Sequence, residues 1–194
     1  MSTSGRTRLR GMKTAAAGLL LIAAFGSGCG PGSAGTVPPG QTATLPAADV
    51  PTPPGGVTDA AQLCAVFSDL AVGALGGPVD EPQFGDVVPR PNGIYCHYSL
   101  TGNANTNVEV QLKEMPRSEA EALAETIGAD IPVAGVGELA LRRDASSLGG
   151  GGVTLLAWSN GMGVTVIVNR EGADQAVMNS AVEAIARAIL LASS

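Results

Sequence analysis

The chain has 194 residues, 45% hydrophobic but only 14% charged and 3% aromatic, with a formal net charge of −6. A soluble domain ordinarily carries about 25% charged residues, so small apolar residues and glycine dominate here. The length suits one compact domain and crowds two. Four of the 11 basic residues fall within the first 13 positions, leaving 7 against 17 acidic ones over the rest, a formal −10. That balance repels phosphate backbones and anionic lipid surfaces. It excludes nucleic acid as a partner and a basic patch as the means of membrane attachment.

Arg6, Arg8, Arg10 and Lys13 precede an apolar run from Thr14 to Gly28 that includes Leu19-Leu20-Leu21-Ile22. At 15 residues the run is shorter than the roughly 20 a helix needs to span a bilayer, and it reads as an export signal over residues 1–28. It ends in Phe25-Gly26-Ser27-Gly28-Cys29, which resembles a bacterial lipobox, with Gly26 standing where such motifs usually carry Leu. The resemblance implies acylation of the Cys29 thiol and a lipid anchor on the extracytoplasmic face of the cell membrane. An ordinary secretory signal beside a free cysteine is the alternative. Acyl chains contribute about 0.8 kcal/mol per buried methylene to such attachment.

After Cys29, residues 30–57 hold 6 Gly and 7 Pro in 28 positions. Such a stretch cannot bury enough apolar surface to offset its ordering entropy, so residues 29–57 are expected to act as a disordered tether. The folded part is expected over 58–194. With Cys29 acylated, Cys64 and Cys96 remain, either as a disulfide in an oxidising compartment or as two buried free thiols. A bridge would close a loop of 33 residues, stabilising the fold by roughly 3–4 kcal/mol on the chain-entropy model. No C-x-x-C spacing exists to tune a redox thiolate.

Within 58–194, Asp59 and Gln62 open a first helix as cap and partner, Leu63, Phe67 and Leu70 recur at helical spacing, and Gly76-Gly77-Pro78 ends it. Ile94, Cys96, Tyr98 and Leu100 then alternate with Tyr95, His97 and Ser99, predicting a half-buried strand. Past a turn over Gly102 to Asn105, Val108, Val110 and Leu112 alternate with Glu109, Gln111 and Lys113 as a second. Ser118-x-x-Glu121 predicts a capping box for a helix ending at Gly128. Val136 to Arg142 is a short strand candidate, with Arg142-Arg143-Asp144 as its solvated end. Asn160-Gly161 joins strands 153–159 and 162–168 as a two-residue hairpin, the strongest short hairpin signal. That turn fixes the register: Ala157 opposite Val164, Leu155 opposite Val166 and Val153 opposite Val168, with Trp158 covering Gly163 on the other face. A last helix runs from about Ala173 to Leu191 with Val177, Ala181, Ile185 and Ile189 on one side. The expected class is therefore α+β, an antiparallel sheet of about five strands against two or three helices in the order α-β-β-α-β-β-β-α. A faint helix-then-strands duplication runs through it.

Gln62-Leu63-Cys64, Leu75-Gly76, Cys96-His97-Tyr98 and Gly135-Val136-Gly137-Glu138-Leu139-Ala140, together with the lipobox and tether, make the chain similar to actinobacterial cell-envelope lipoproteins of the Lpr/Lpp type, which carry a domain of unknown function. The resemblance spans nearly the whole mature chain. It implies an envelope address and a disulfide between Cys64 and Cys96, and it brings no catalytic activity. The family's second Cys is more often followed shortly by Trp, so His97 is not carried over as a family residue.

Candidate chemistry is sparse. His97 is the sole histidine, and with Glu109 on the neighbouring strand it makes no strong divalent site, so no metal or cofactor is expected. There is no Gly-x-Ser-x-Gly stretch, and Ser146 and Ser147 sit in a loose loop, so no catalytic nucleophile is assigned. Gly149 to Gly152 lacks the Lys-Ser/Thr and helix of a phosphate loop and reads as a flexible connection. The outer sheet face is more apolar than a wet face should be. Tyr95, His97, Leu156, Trp158 and Ile167 form a possible binding face there, unless a helix or loop covers it. The expected function is a lipid-tethered, non-enzymatic module binding an envelope partner. A carrier of a lipid or other apolar ligand is the alternative, and a hydrolase using His97 the third reading.

Overall fold

The computed structural model describes residues 56–87, 93–144 and 151–194. The expected signal, Cys29, nearly all of the tether, and the Ser146-Ser147 and Gly149-Gly150 pairs lie outside the described residues. Val57, placed in the tether from sequence, already packs against the core.

The first helix, α1, spans Ala60–Leu75. Asp59 Oδ1 accepts the Gln62 N–H at 2.8 Å, while Gln62 Oε1 accepts from Thr58 N–H at 2.8 Å rather than from the cap residue itself. The capping box is thus displaced by one residue at its return arm. Gly76 ends the helix with φ +74°. Arg170 Nη1 donates to the Ala74 carbonyl at 3.1 Å, putting a cation on the negative end of the helix dipole.

Seven strands follow: β1 (Gln83–Asp86), β2 (Gly93–Leu100), β3 (Asn103–Glu114), β4 (Ile131–Pro132), β5 (Leu139–Asp144), β6 (Gly152–Ser159) and β7 (Met162–Asn169). Helix α2 (Arg117–Ile127) lies between β3 and β4, and α3 (Gln175–Ala192) closes the chain. All pair antiparallel into one sheet of order β1-β2-β3-β7-β6-β5-β4. The α+β class therefore holds, but the sheet has seven strands instead of about five. The two additions are β1, only four residues of Gln-Phe-Gly-Asp with no hydrophobic alternation, and β4, two residues on the far edge. Pro132 is accommodated there because an edge strand needs no second donor.

The Asn160-Gly161 hairpin keeps the expected register, with Ala157, Leu155 and Val153 opposite Val164, Val166 and Val168. Positive φ at both turn residues, +50° and +83°, is the primed geometry that matches strand twist. Across the sheet, Cys96, Val110, Val166 and Leu155 form one row of the inner face. α1 and α3 cover this face, and Leu63, Phe67, Val108, Ile185 and Ile189 are fully buried between the layers. α3 is long and apolar enough to cross a membrane by length and composition, yet its buried stripe of Met178, Val182, Ile185 and Ile189 is spent on the sheet. Val177, expected in that stripe, is exposed. The helix starts at Gln175 after Asp174, which places Met178 rather than Val177 on the sheet side.

Cys64 and Cys96 are bonded, with Cα atoms 5.4 Å apart, and pin α1 across β2. Beside them Phe67 meets Tyr98 edge-on at 5.4 Å, and the Tyr98 hydroxyl donates to the Cys64 carbonyl at 3.2 Å. Burial, and secondarily the Asp69 charge, pushes the Tyr98 phenol above its ordinary value.

Two expectations about termini are corrected. α2 begins at Arg117 behind Pro116, with no side-chain cap, so Ser118 sits inside the first turn and makes no capping box. β5 begins at Leu139 rather than Val136, because Gly135 and Gly137 take φ +75° and +62° and turn the chain before it. The helix-then-strands duplication also fails in space, since α1 packs on the inner face and α2 on the outer.

Candidate functional site

The outer face of the sheet is divided. Over β5 and β6, α2 lays Ala120 and Ala124, with Leu123 and Ile127 alongside, onto Leu156, Leu139, Leu141 and Trp158, forming a second small core. Leu156 is 0% exposed. The Trp158 indole N–H donates to the Met115 carbonyl at 2.9 Å. The half of the expected binding face carried by Leu156 and Trp158 is therefore covered by a helix. Trp158 stands opposite Gly163 as expected, and Met115 lies nearest above that glycine: a Cβ there would stand 2.7 Å from its Sδ and Cε. An ion pair between Lys113 and Glu119 ties β3 to α2, and Arg143 Nη1 donates to the Ile127 carbonyl at 2.8 Å. Arg142 bonds Asp144 at 2.9 Å and Glu183 of α3 at 3.0 Å. The Arg142-Arg143-Asp144 run, expected as a solvated end, thus clamps β5 to the helices on both faces.

Over β1, β2 and β3 no described helix covers the outer face. Alternation along β2 turns Tyr95 and His97 outward, and the register sets Tyr95 opposite Gln111 and His97 opposite Glu109. On the other side, β1 sets Gln83 opposite His97 and Gly85 opposite Tyr95. The Tyr95 ring leans over Gly85, where a Cβ would stand 3.3 Å from Cε1. These strands enclose an open groove of about 360 Å³ lined by Tyr95, His97, Glu109, Gln111 and Gln83, with Asp86 and Val87 at the β1 end. Gln111 Nε2 donates to Glu109 Oε1 at 2.8 Å. His97 Nε2 lies 2.9 Å from Ser99 Oγ.

Of the five residues named from sequence, Tyr95 and His97 meet in the groove. Ile167 flanks it, half-buried opposite Glu109 on β7, and Leu156 and Trp158 belong to the covered core. Gln83, Asp86 and Val87 were missed because β1 gives no strand signal. Gln111 was legible as an outward polar residue of β3. His97 and Glu109 do face each other, but each is already held by another partner, Ser99 and Gln111. No group of three or more His, Cys, Asp or Glu suited to a metal occurs among the described residues. The His97–Ser99 contact has the length of a nucleophile–base pair. Ser99, however, lies near the end of β2, where the register with β3 shifts between Ser99 and Leu100, on a strand-to-strand connection and not on the strand-to-helix turn that exposes a serine nucleophile to converging amide donors. No known protein family, curated protein or solved structure matches the chain.

Proposed function

We propose that this protein is a lipid-anchored binding module on the extracytoplasmic side of the cell membrane, of the Lpr/Lpp type, and that the groove over β1–β3 is its recognition surface. The observation that carries this reading is the open groove of about 360 Å³, in which carboxylate, amide, imidazole and phenol groups converge from three strands. Its volume falls at the small end of ligand pockets, about 300–1,000 Å³. An apolar cargo would strip those groups of water without pairing them, at roughly 1–3 kcal/mol each, so the groove favours a polar ligand over the lipid carrier. The Cys64–Cys96 bond agrees with an oxidising compartment. Two measurements test the reading. Cys29→Ser is expected to release the protein from the membrane fraction. Polar fractions of an envelope extract are expected to shift the amide resonances of Tyr95, His97 and Gln111. Membrane retention of the Cys29→Ser protein, or shifts confined to other surfaces, would refute the corresponding half.

A hydrolase using His97 is the second reading, supported by the 2.9 Å contact with Ser99. It requires a fluorophosphonate to label Ser99 in the wild type but not in His97→Ala. Absence of labelling discards it.

A further inference from the structure

The chemistry of the groove narrows its ligand, and this step rests on the binding reading above. An anion is disfavoured: Glu109 and Asp86 stand at the groove, and among the described residues no Lys or Arg lines it. An organic cation would find Glu109 with one oxygen already accepting from Gln111 Nε2 at 2.8 Å, and Asp86 three residues along β1 from the row that Glu109 shares with His97 and Gln83. An extended peptide pairs with a strand edge, whereas this groove opens on the sheet's face. The lining as a whole is a mixture of hydrogen-bond donors and acceptors. Gln83 and Gln111 each offer donors and acceptors, Glu109 accepts, and the Tyr95 hydroxyl and His97 do either. Beside them Tyr95 presents an aromatic ring whose electron-rich face attracts polarised C–H bonds.

A ligand matching both halves needs several hydroxyls on one edge and an apolar C–H face, without net charge. We infer that the groove binds a neutral sugar ring, its C–H face on Tyr95 and its hydroxyls on the Glu109–Gln111 pair and His97. The hydrogen bond from Gln111 to Glu109 presets that pair, holding the carboxylate so that its acceptors stay on the groove side of β3.

The test is amide and tyrosine-ring NMR of the full mature chain in detergent micelles, titrated with the methyl glycosides of glucose, galactose, mannose and arabinose up to about 100 mM, a range that captures millimolar affinity. Parallel titrations use 1,5-diaminopentane as a cation and glucuronate as an anion. At least one glycoside is expected to shift Tyr95, His97 and Gln111. Glu109→Gln should weaken it about tenfold, the loss of one charge-assisted hydrogen bond. Tyr95→Ala should abolish it, while Tyr95→Phe, which keeps the ring, should restore most of it. If no glycoside shifts these residues while the diamine or glucuronate does, the sugar inference is overturned and the binding groove stands. If no probe shifts them, or shifts survive Tyr95→Ala unchanged in a variant with native far-UV circular dichroism, both fall.

Discussion

Replacing Leu156 with Ala separates the two environments that sequence allowed for the outer sheet face. On an exposed patch the change would move stability by no more than about 0.5 kcal/mol. In the structure the side chain is 0% exposed, enclosed by Ala120, Ala124 and Met115 with Trp158 alongside. Losing three buried carbons removes transfer free energy of about 2 kcal/mol. The cavity left under α2 adds to this, because the Ala residues facing it are too small to collapse inward, so the total is about 3 kcal/mol. For a folded part of this size that lowers Tm by roughly 10 °C. Urea unfolding followed by far-UV circular dichroism measures the global effect. Trp158 fluorescence reports the same core locally, since the chain has a single tryptophan. A loss below about 0.5 kcal/mol with unchanged tryptophan emission would refute the placement of α2 on this face.

Reducing the Cys64–Cys96 bond, or replacing both residues with Ala, should cost about 3–4 kcal/mol through the reopened loop, read as a drop in the urea midpoint; an unchanged midpoint would contradict the pinning of α1. Tyr98 should make stability pH-dependent at the alkaline end. Its folded-state pKa is raised by burial and then by Asp69, so the folded protein keeps a proton that the unfolded chain loses near pH 10. That contribution is complete below about pH 10 and lost as pH rises above it. Tyr98→Phe should flatten the decline, at a cost near 1 kcal/mol at neutral pH for the hydrogen bond to Cys64. Gly137→Ala should destabilise more than Gly163→Ala. The first puts a Cβ 2.6 Å from the Trp158 carbonyl oxygen at φ +62°, whereas the second meets the flexible end of Met115. Equal melting temperatures for the two would contradict this.

Much of the architecture could be read from periodicity, and the failures have physical causes. The β6–β7 register follows from Asn160-Gly161 because a two-residue primed turn admits only one pairing. β2 and β3 alternate strictly because only their inner face is packed. β1 escapes notice since an edge strand of Gln-Phe-Gly-Asp obtains its order from pairing with β2 rather than from burial of its own. The second core is hidden for a related reason. Leu156, Leu139 and Leu141 face outward in the period-2 pattern, and the helix that covers them is small and mostly polar, with Ala120 and Ala124 its only buried residues. The site was half legible. Tyr95, His97 and Glu109 could be placed on one face from β2 and β3, but the wall supplied by Gln83 depends on a strand invisible to pattern. Arg142 and Arg143 look like surface charges in sequence, and only tertiary packing turns them into clamps.

The most direct test is a residue-resolved map, by NMR or hydrogen exchange, of contact between the full chain and the polar fraction of an envelope extract, the ligand source named by the proposed function. Perturbation centred on Tyr95, His97, Glu109 and Gln111, with α2 and the outward sides of α1 and α3 unaffected, is the predicted outcome. Perturbation concentrated on α2 or on the exposed flanks of α1 and α3, with the β1–β3 face silent, would contradict it.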